Sequence, residues 1–567
     1  NFANGTESPS ENYFTDPQWG YHRAAMDHVS DNEGEQNSFR FDVKHTFSDG
    51  LITSITSGAR YAKREQTSRE SAYNWGNLSV PWSGDTGTMY WFDDERTDLP
   101  TENISFEDFG RGDILDIEGG NNIRMPALSI AENYRDSING LKAISGGWRP
   151  LGERDGVIAG TDFLPQEIND TSETTTALYA KANFEGELAN GMYYSGNIGL
   201  RYVKIENATS GSVQFPDNRI DGPLDLDALL IPEQQAFGNN AAVSQTAEND
   251  YTNVLPSLNI KLDVNDEFLV RLGISEAIAL PQLGLLRNTV SIRGDEIIRE
   301  FSDTEIGEDG QPEVISAQYN RYLADAGNPF LKPMEAWNYD LTFEWYFAED
   351  GNFNVSLFYK DIENYFISGS TNRVFTNNGS TQTVNVNGAT NGEKGKIQGY
   401  ELSYQQYYKN LPDVLQGFGT QFNYTYVKDE GSPNSNLSPD QPGSPSTDGG
   451  QFDGLPLEGL SEHTFNATLL YQNHGVDARL AYNWRSDYLL TTRDVITQLP
   501  IFSEAAGFLD GSIFYNVTEN VQAGLQMSNL LNTESVTRMQ YNEAGDQITR
   551  GVFINDRTFS FIVRANF

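Results

Sequence analysis

The side chains best equipped for chemistry lie in one stretch, YNWGNLSVPWSGDTGTMYWF at 73–92. Trp75, Trp82, Tyr90 and Trp91 offer flat ring faces that suit sugar C–H groups, and Asn74, Asn77 and Asp85 offer polar groups for sugar hydroxyls, a mixture fitted to carbohydrate. The same residues also suit the packing of a long loop, and the sequence leaves both uses open. Two acidic stretches, 93–120 and 303–313, gather carboxylate oxygens of the kind calcium takes, although neither has EF-hand spacing. Loop-bound calcium is one expectation there and a diffuse counterion cloud the other.

Catalysis is not expected. A nucleophilic triad needs Ser or Cys beside a His and an orienting carboxylate. The five histidines, His22, His28, His45, His463 and His474, include one in the apolar series of a strand and two at the ends of another, and cysteine is absent. No GxSxG, HExxH or P-loop pattern occurs.

The elements that must hold these residues are strands. In SFRFDVKHTF, Phe39, Phe41, Val43, His45 and Phe47 alternate with Arg40, Asp42, Lys44 and Thr46; WNYDLTFEWYF at 337–347 repeats the pattern. Alternation recurs near 51–65, 175–185, 191–206, 253–265, 267–279, 352–366, 395–408, 417–428, 462–472, 476–487, 506–517, 520–530 and 556–567, giving about fifteen strands. With 12% aromatic residues, 52 Gly and only 38% hydrophobic residues, the composition is that of an all-β chain with long polar loops. A formal charge of -42 argues against nucleic acid as a partner, since polyanions would be repelled.

A soluble sandwich and a transmembrane antiparallel β-barrel both bury one face of each strand. Connection lengths separate them. Short links such as SDG at 48–50, ANG at 189–191 and AEDG at 348–351 alternate with links of tens of residues, as periplasmic turns alternate with extracellular loops in an outer-membrane barrel. Trp337 and Trp345, on one face and eight residues apart, lie about 26 Å apart along a strand, close to the separation of two interfacial aromatic girdles once tilt is included. Because a short turn follows the first strand and such barrels hold even numbers of strands, a further N-terminal portion is expected before Asn1.

The stretches YNWGNLSVPW (73–82), GNIGLRYVK (196–204), VLPSLNIKLDVND (254–266), AGNPFLKPMEAWNYDLTFEWYF (326–347), SLFYKDIENYF (356–366), LSEHTFNATLLYQNHG (460–475), YNWRSDYL (482–489), NLLN (529–532) and the aromatic C-terminus together resemble TonB-dependent receptors. The likeness is strongest to the branch common in Caulobacter- and Xanthomonas-like bacteria. The resemblance implies a barrel of about 22 strands in the intact protein, closed by an N-terminal plug. Residues 1–567 are then its barrel portion, lacking plug and first strands. It further implies a Gram-negative outer membrane with its lipid as surroundings, and active uptake coupled to the TonB inner-membrane energy-transducing complex through the plug. No cofactor is implied, and the terminal Phe567 resembles the signal read by barrel assembly machinery. Within ISEAIALPQLGLLR (274–287) relatives more often carry Arg where this chain has Leu280. The branch often serves glycans, so an oligosaccharide is the expected ligand. A ferric siderophore and a passive porin-like barrel are the alternatives.

Overall fold

A computed structural model describes residues 12–79, 89–112, 120–144, 148–218, 226–306, 312–392, 394–430, 452, 454–494, 496–497 and 499–566. The chain divides into two compact units, residues 1–34 with 66–170, and residues 35–65 with 171–567.

The larger unit is an antiparallel meander. Phe268–Ala279 pairs with Met334–Ala348, which pairs with Gly351–Glu363, then Gly395–Tyr407, Phe418–Glu430, His463–Asn473, Val476–Arg485, Ala506–Asn516, Val521–Ser528 and Thr558–Ala565. Upstream, Tyr193–Gln214 pairs with Ala242–Asp263, and that with Phe268–Ala279. The strands Ser30–Thr46, Ile52–Glu70 and Ile168–Glu187 precede them. Every segment chosen by alternation overlaps one of these strands, several running one to three residues past its ends. At one end of the sheet the links are brief, 47–51, 188–192, 264–267, 349–350, 408–417, 474–475 and 517–520; at the other they are 71–167, 215–241, 280–333, 364–394, 431–462, 486–505 and 529–557.

Register puts the greasy positions on one face. Leu272, Leu341 and Leu357 stand in one row, flanked by Trp337 toward the long loops and Trp345 toward the short turns. Aromatic pairs accumulate at those two levels. On the loop side are Tyr339–Tyr359 at 6.0 Å, Tyr400–Tyr426 at 5.4 Å and Phe465–Trp484 at 5.5 Å; on the turn side are Trp345–Phe347 at 5.2 Å and Phe418–Tyr471 at 4.9 Å. Amphipathic rings at two levels, with aliphatic residues between, match the two interfaces of a bilayer. The opposite face is hydrogen-bonded across strands, as in Thr342 Oγ1 with Ser356 Oγ at 3.1 Å and Lys360 Nζ donating to Asn338 at 3.1 Å.

The main sheet also contains strands that alternation did not single out. Val290–Ile306 with Pro312–Ala326, and Phe366–Asn377 with Ser380–Asn391, are hairpins inside long connections. They join side by side through a parallel match of 322–325 with 384–387. So the sheet holds 19 strands among the described residues rather than about fifteen. Their small core of Phe215, Phe237, Val290, Ile292, Tyr322, Ala324, Val384 and Val386 is local to the loops. Gln234 pins the short helix Pro232–Phe237 to it, donating to the Tyr319 carbonyl at 3.0 Å and accepting the Tyr319 amide at 2.7 Å.

Two sequence features acquire a structural reason. Ile562 breaks the alternation of the final strand because its opposite number is Gly524, over which the Phe514 ring lies; a Cβ there would sit 2.1 Å from that ring. Phe514 in turn carries the Arg564 guanidinium at 4.9 Å, forming a small apolar island on the polar face. In NLLN, Asn529 has φ 50° and is buried, donating to the carbonyls of Asn555 (2.6 Å) and Thr533 (3.1 Å) while accepting the Thr533 amide (2.8 Å). It therefore clasps the loop before the last strand. Asn529→Ala should destabilise this clasp by about 1–2 kcal/mol, through lost hydrogen bonds and a strained left-handed backbone, read as faster amide exchange at Thr533 and around 555.

Candidate functional site

Three of the six candidate ligand contacts of 73–92, Asn74, Tyr90 and Trp91, are drawn into the packing of the smaller unit. Ala24–Asp27 pairs with Asn74–Asn77, setting Asp27 opposite Asn74 and Met26 opposite Trp75. Strand parity turns Asn74 and Gly76 inward, where Trp148 covers Gly76 and donates from Nε1 to the Asn74 carbonyl at 3.1 Å. A Cβ on residue 76 would lie 2.5 Å from that indole, which is why glycine stands there. Tyr90 packs on the cluster of Ala25, Leu78, Leu99, Leu141 and Trp148, with the Arg96 guanidinium 4.4 Å from its ring. Trp91 meets Tyr21 edge to face at 5.7 Å, and Asn77 accepts from Arg23 at 3.2 Å. Trp82 lies outside the described residues, as does Phe567.

Trp75 and Asn77 stay exposed on the other side of the strand, Trp75 at 66% beside Met26 at 41%. Tyr73, 65% exposed, stands two residues away and stacks on His28 at 4.4 Å and 25°. Sequence reasoning had not chosen Tyr73; its position two residues from Trp75, which puts both on one side of an extended segment, was the available signal.

What fixes this ledge is a buried carboxylate. Asp27 accepts from Asn74 Nδ2 at 2.6 Å, from the Leu151 amide at 2.9 Å and from the Tyr134 hydroxyl. Burial, and then the Asp27 hydrogen bond, hold the Tyr134 phenol well above its usual range, so it stays a donor. A second tie is the two-pronged pair of Arg154 with Glu167, both contacts 2.7 Å; Glu167 also accepts the Ala72 amide at 3.0 Å.

Three of the five histidines, His22, His28 and His463, make ring or hydrogen-bond contacts within the fold. His22 is buried against Phe92, which lowers its pKa, and His463 Nδ1 meets Tyr424 Oη at 2.8 Å. His28 Nδ1 lies 3.2 Å from Ser71 Oγ; Ser71 is 4% exposed and its hydroxyl accepts the Val29 amide at 3.0 Å. Among the described residues no group of three or more His, Asp or Glu converges as a metal site. Parts of both acidic stretches, 113–119 and 307–311, lie outside those residues.

In the larger unit the polar face forms two adjoining hollows of about 530 and 490 Å³, both lined by Arg60, Arg201, Leu255 and Ser257. Arg64 is committed to the buried Glu173, 2.8 Å from Nε and 2.9 Å from Nη2, and reaches the Pro281 carbonyl at 3.2 Å. Pro281 follows the strand end at Ala279, and Leu280 packs on Ala177, Val203 and Ile205. The proline thus ends the ladder whichever residue precedes it.

A family model described as TonB dependent receptor-like, beta-barrel matches residues 1–530. No curated protein matches the chain. Among solved structures it is similar to the ferric yersiniabactin uptake receptor FyuA from Yersinia pestis, with 10% identity, TM-score 0.46, and coverage of 96% of this chain and 55% of that one. The siderophore receptor PirA from Acinetobacter baumannii gives 12%, 0.43, 94% and 63%. The ferric-catecholate import receptor Fiu from Escherichia coli K12 gives 14%, 0.49, 95% and 55%. The chain thus spans 55–63% of the length of these three structures.

Proposed function

The chain belongs to the TonB dependent receptor-like β-barrel family of Gram-negative outer-membrane proteins, and from that premise we propose that it is the barrel portion of a receptor for active uptake of an oligosaccharide. The observation that carries the ligand class is the accessible pair Tyr73 and Trp75, two rings on a ledge held by Asp27. Exposed rings in solvent cost free energy unless something covers them, and sugar C–H faces are suited to do so. In this reading the aromatic levels of the main sheet face lipid, the hydrogen-bonded face lines the lumen, and the loops meet ligand outside the cell.

Completion of the barrel by strands and a plug from a longer protein belongs to the same proposal. It supplies partners for Ser30–Thr46, exposed throughout, and for the outer edge of Thr558–Ala565. Energy for transport then comes from the TonB complex acting on that plug.

The test is a glycan panel with the intact protein in detergent, followed by uptake in cells with and without the energy-transducing complex. Trp75→Ala should weaken binding of the recognised glycan about fivefold to tenfold, the worth of one stacked ring, and Asn74→Ala should act through loop stability instead. Steady single-channel conductance from the intact protein, with uptake indifferent to the transducing complex, would establish a porin and defeat the proposal.

A further inference from the structure

We propose that Arg60, Lys181 and Arg201 form an anion site that takes a carboxylate-bearing ligand. The inference deepens the uptake reading, on which it rests for the ligand being a sugar acid.

The three cations come from successive strands, Ile52–Glu70, Ile168–Glu187 and Tyr193–Gln214, and lie on their polar face. Ile55, Tyr61, Ile198, Leu200 and Tyr202, all exposed, lie on the other. Arg60 and Arg201 line both hollows, and Lys181 lines the second. Two nearby carboxylates are already engaged. Glu173 is paired with Arg64, and Asp42 with Arg40 at 2.6 Å and with the Tyr179 hydroxyl. Glu276 stands apart, lining the first hollow with no ion pair among the described residues.

Among the described residues Arg60, Lys181 and Arg201 have no ion-pair partner. That is the reverse of what composition favours, since the chain has 80 Asp and Glu against 38 Lys and Arg. Three unmatched cations on adjacent strands repel one another, and an anion between them relieves the repulsion. Guanidinium forks match a planar carboxylate, while the ammonium adds a point charge. The rest of the lining is mixed. Ser257 and Thr56 offer hydroxyls, and Leu255 and Ala177 an apolar floor, which suits a ligand with alcohol groups and C–H faces as well as charge. Glu276 in the first hollow disfavours a second carboxylate there, so the acidic group seats toward Lys181.

The experiment titrates the intact protein in detergent with trigalacturonate, neutral galactotriose and citrate. Folding of each variant is checked by heat-modifiable migration. Trigalacturonate is expected to bind, to weaken as salt rises, and to lose about tenfold in affinity with Arg60→Gln and again with Arg201→Gln. Citrate binding as tightly, with the same arginine dependence, would keep the anion site and overturn the carbohydrate reading. Galactotriose binding equally, unmoved by either substitution, would overturn the anion site and leave carbohydrate uptake standing. Arginine-independent binding of both acids, or none, would also overturn the anion site.

Discussion

Asp27→Ala is expected to loosen the smaller unit by about 3–5 kcal/mol while leaving the main sheet folded. The carboxylate serves three donors that are distant in sequence, Asn74, Tyr134 and the Leu151 amide, the last two 107 and 124 residues away. Its removal strands them in an interior that includes Leu78, Leu141 and Trp148. Unpaired buried donors lose their full solvation, which is why the cost exceeds the net worth of the bonds themselves. Asn74 keeps its bond to the Arg149 carbonyl at 2.8 Å, so the Tyr134 hydroxyl and Leu151 amide bear most of the loss. Asp27→Asn should cost less, about 2 kcal/mol, because one acceptor oxygen remains while the new amide faces donors. Hydrogen exchange reads the effect directly. Amides at 74–77 and 151 should lose protection in Asp27→Ala, whereas those of 334–348 should not. Unchanged protection at Leu151 would remove Asp27 from its role. Oligosaccharide binding should fall with it, because Tyr73 and Trp75 are presented by the strand that Asn74 anchors.

The sequence made legible those strands that meet two different media. Trp337, Tyr339, Leu341, Phe343 and Trp345 alternate cleanly because every second residue has one environment over the whole strand. The hairpin Val290–Ile306 with Pro312–Ala326 lacks that constraint. Among its described residues the first strand, Val290–Ile306, buries only Val290 and Ile292 near its base, and its register slips at Glu300–Phe301 and again before Ile306, so charged residues occur on both sides. No period survives such a change of face. At the candidate site the residue types were readable and the roles were not. Asn74 and Trp75 are neighbours in an aromatic run, yet strand parity sends one to Asp27 and the other to solvent. The contact that decides between them, Asp27 with Tyr134 and Leu151, spans more than a hundred residues and leaves no local trace. The cationic hollow is similar, since Arg60 and Arg201 become neighbours only through strand pairing.

Leu341→Arg should cost about 2–4 kcal/mol of folding free energy in a bilayer, and Thr342→Arg close to none. Leu341 stands opposite Leu272 on one side and Leu357 on the other, four residues from each of Trp337 and Trp345, and so at mid-height between the aromatic levels. An arginine there faces hydrocarbon with no counter-charge in its row, and its stem reaches a level of head groups only by bending along the strand. Thr342 is one residue on and points the other way, opposite Arg271 and Ser356, where a long cation enters a polar, hydrogen-bonded setting. Glu344, two residues along on the same face, already takes Arg271 at 2.6 Å and offers a second cation partial compensation. Folding the intact protein into vesicles across a urea series measures both variants, with heat-modifiable migration reporting the folded fraction. In a lipid with shorter acyl chains the Leu341→Arg penalty should shrink, because the guanidinium then lies nearer an interface. A soluble sandwich predicts a different pattern. There the greasy face is a protein core, the penalty for Leu341→Arg would not depend on acyl-chain length, and the protein would fold without vesicles. Equal costs for the two substitutions would mean that the face carrying Trp337 and Trp345 is not the one in contact with lipid.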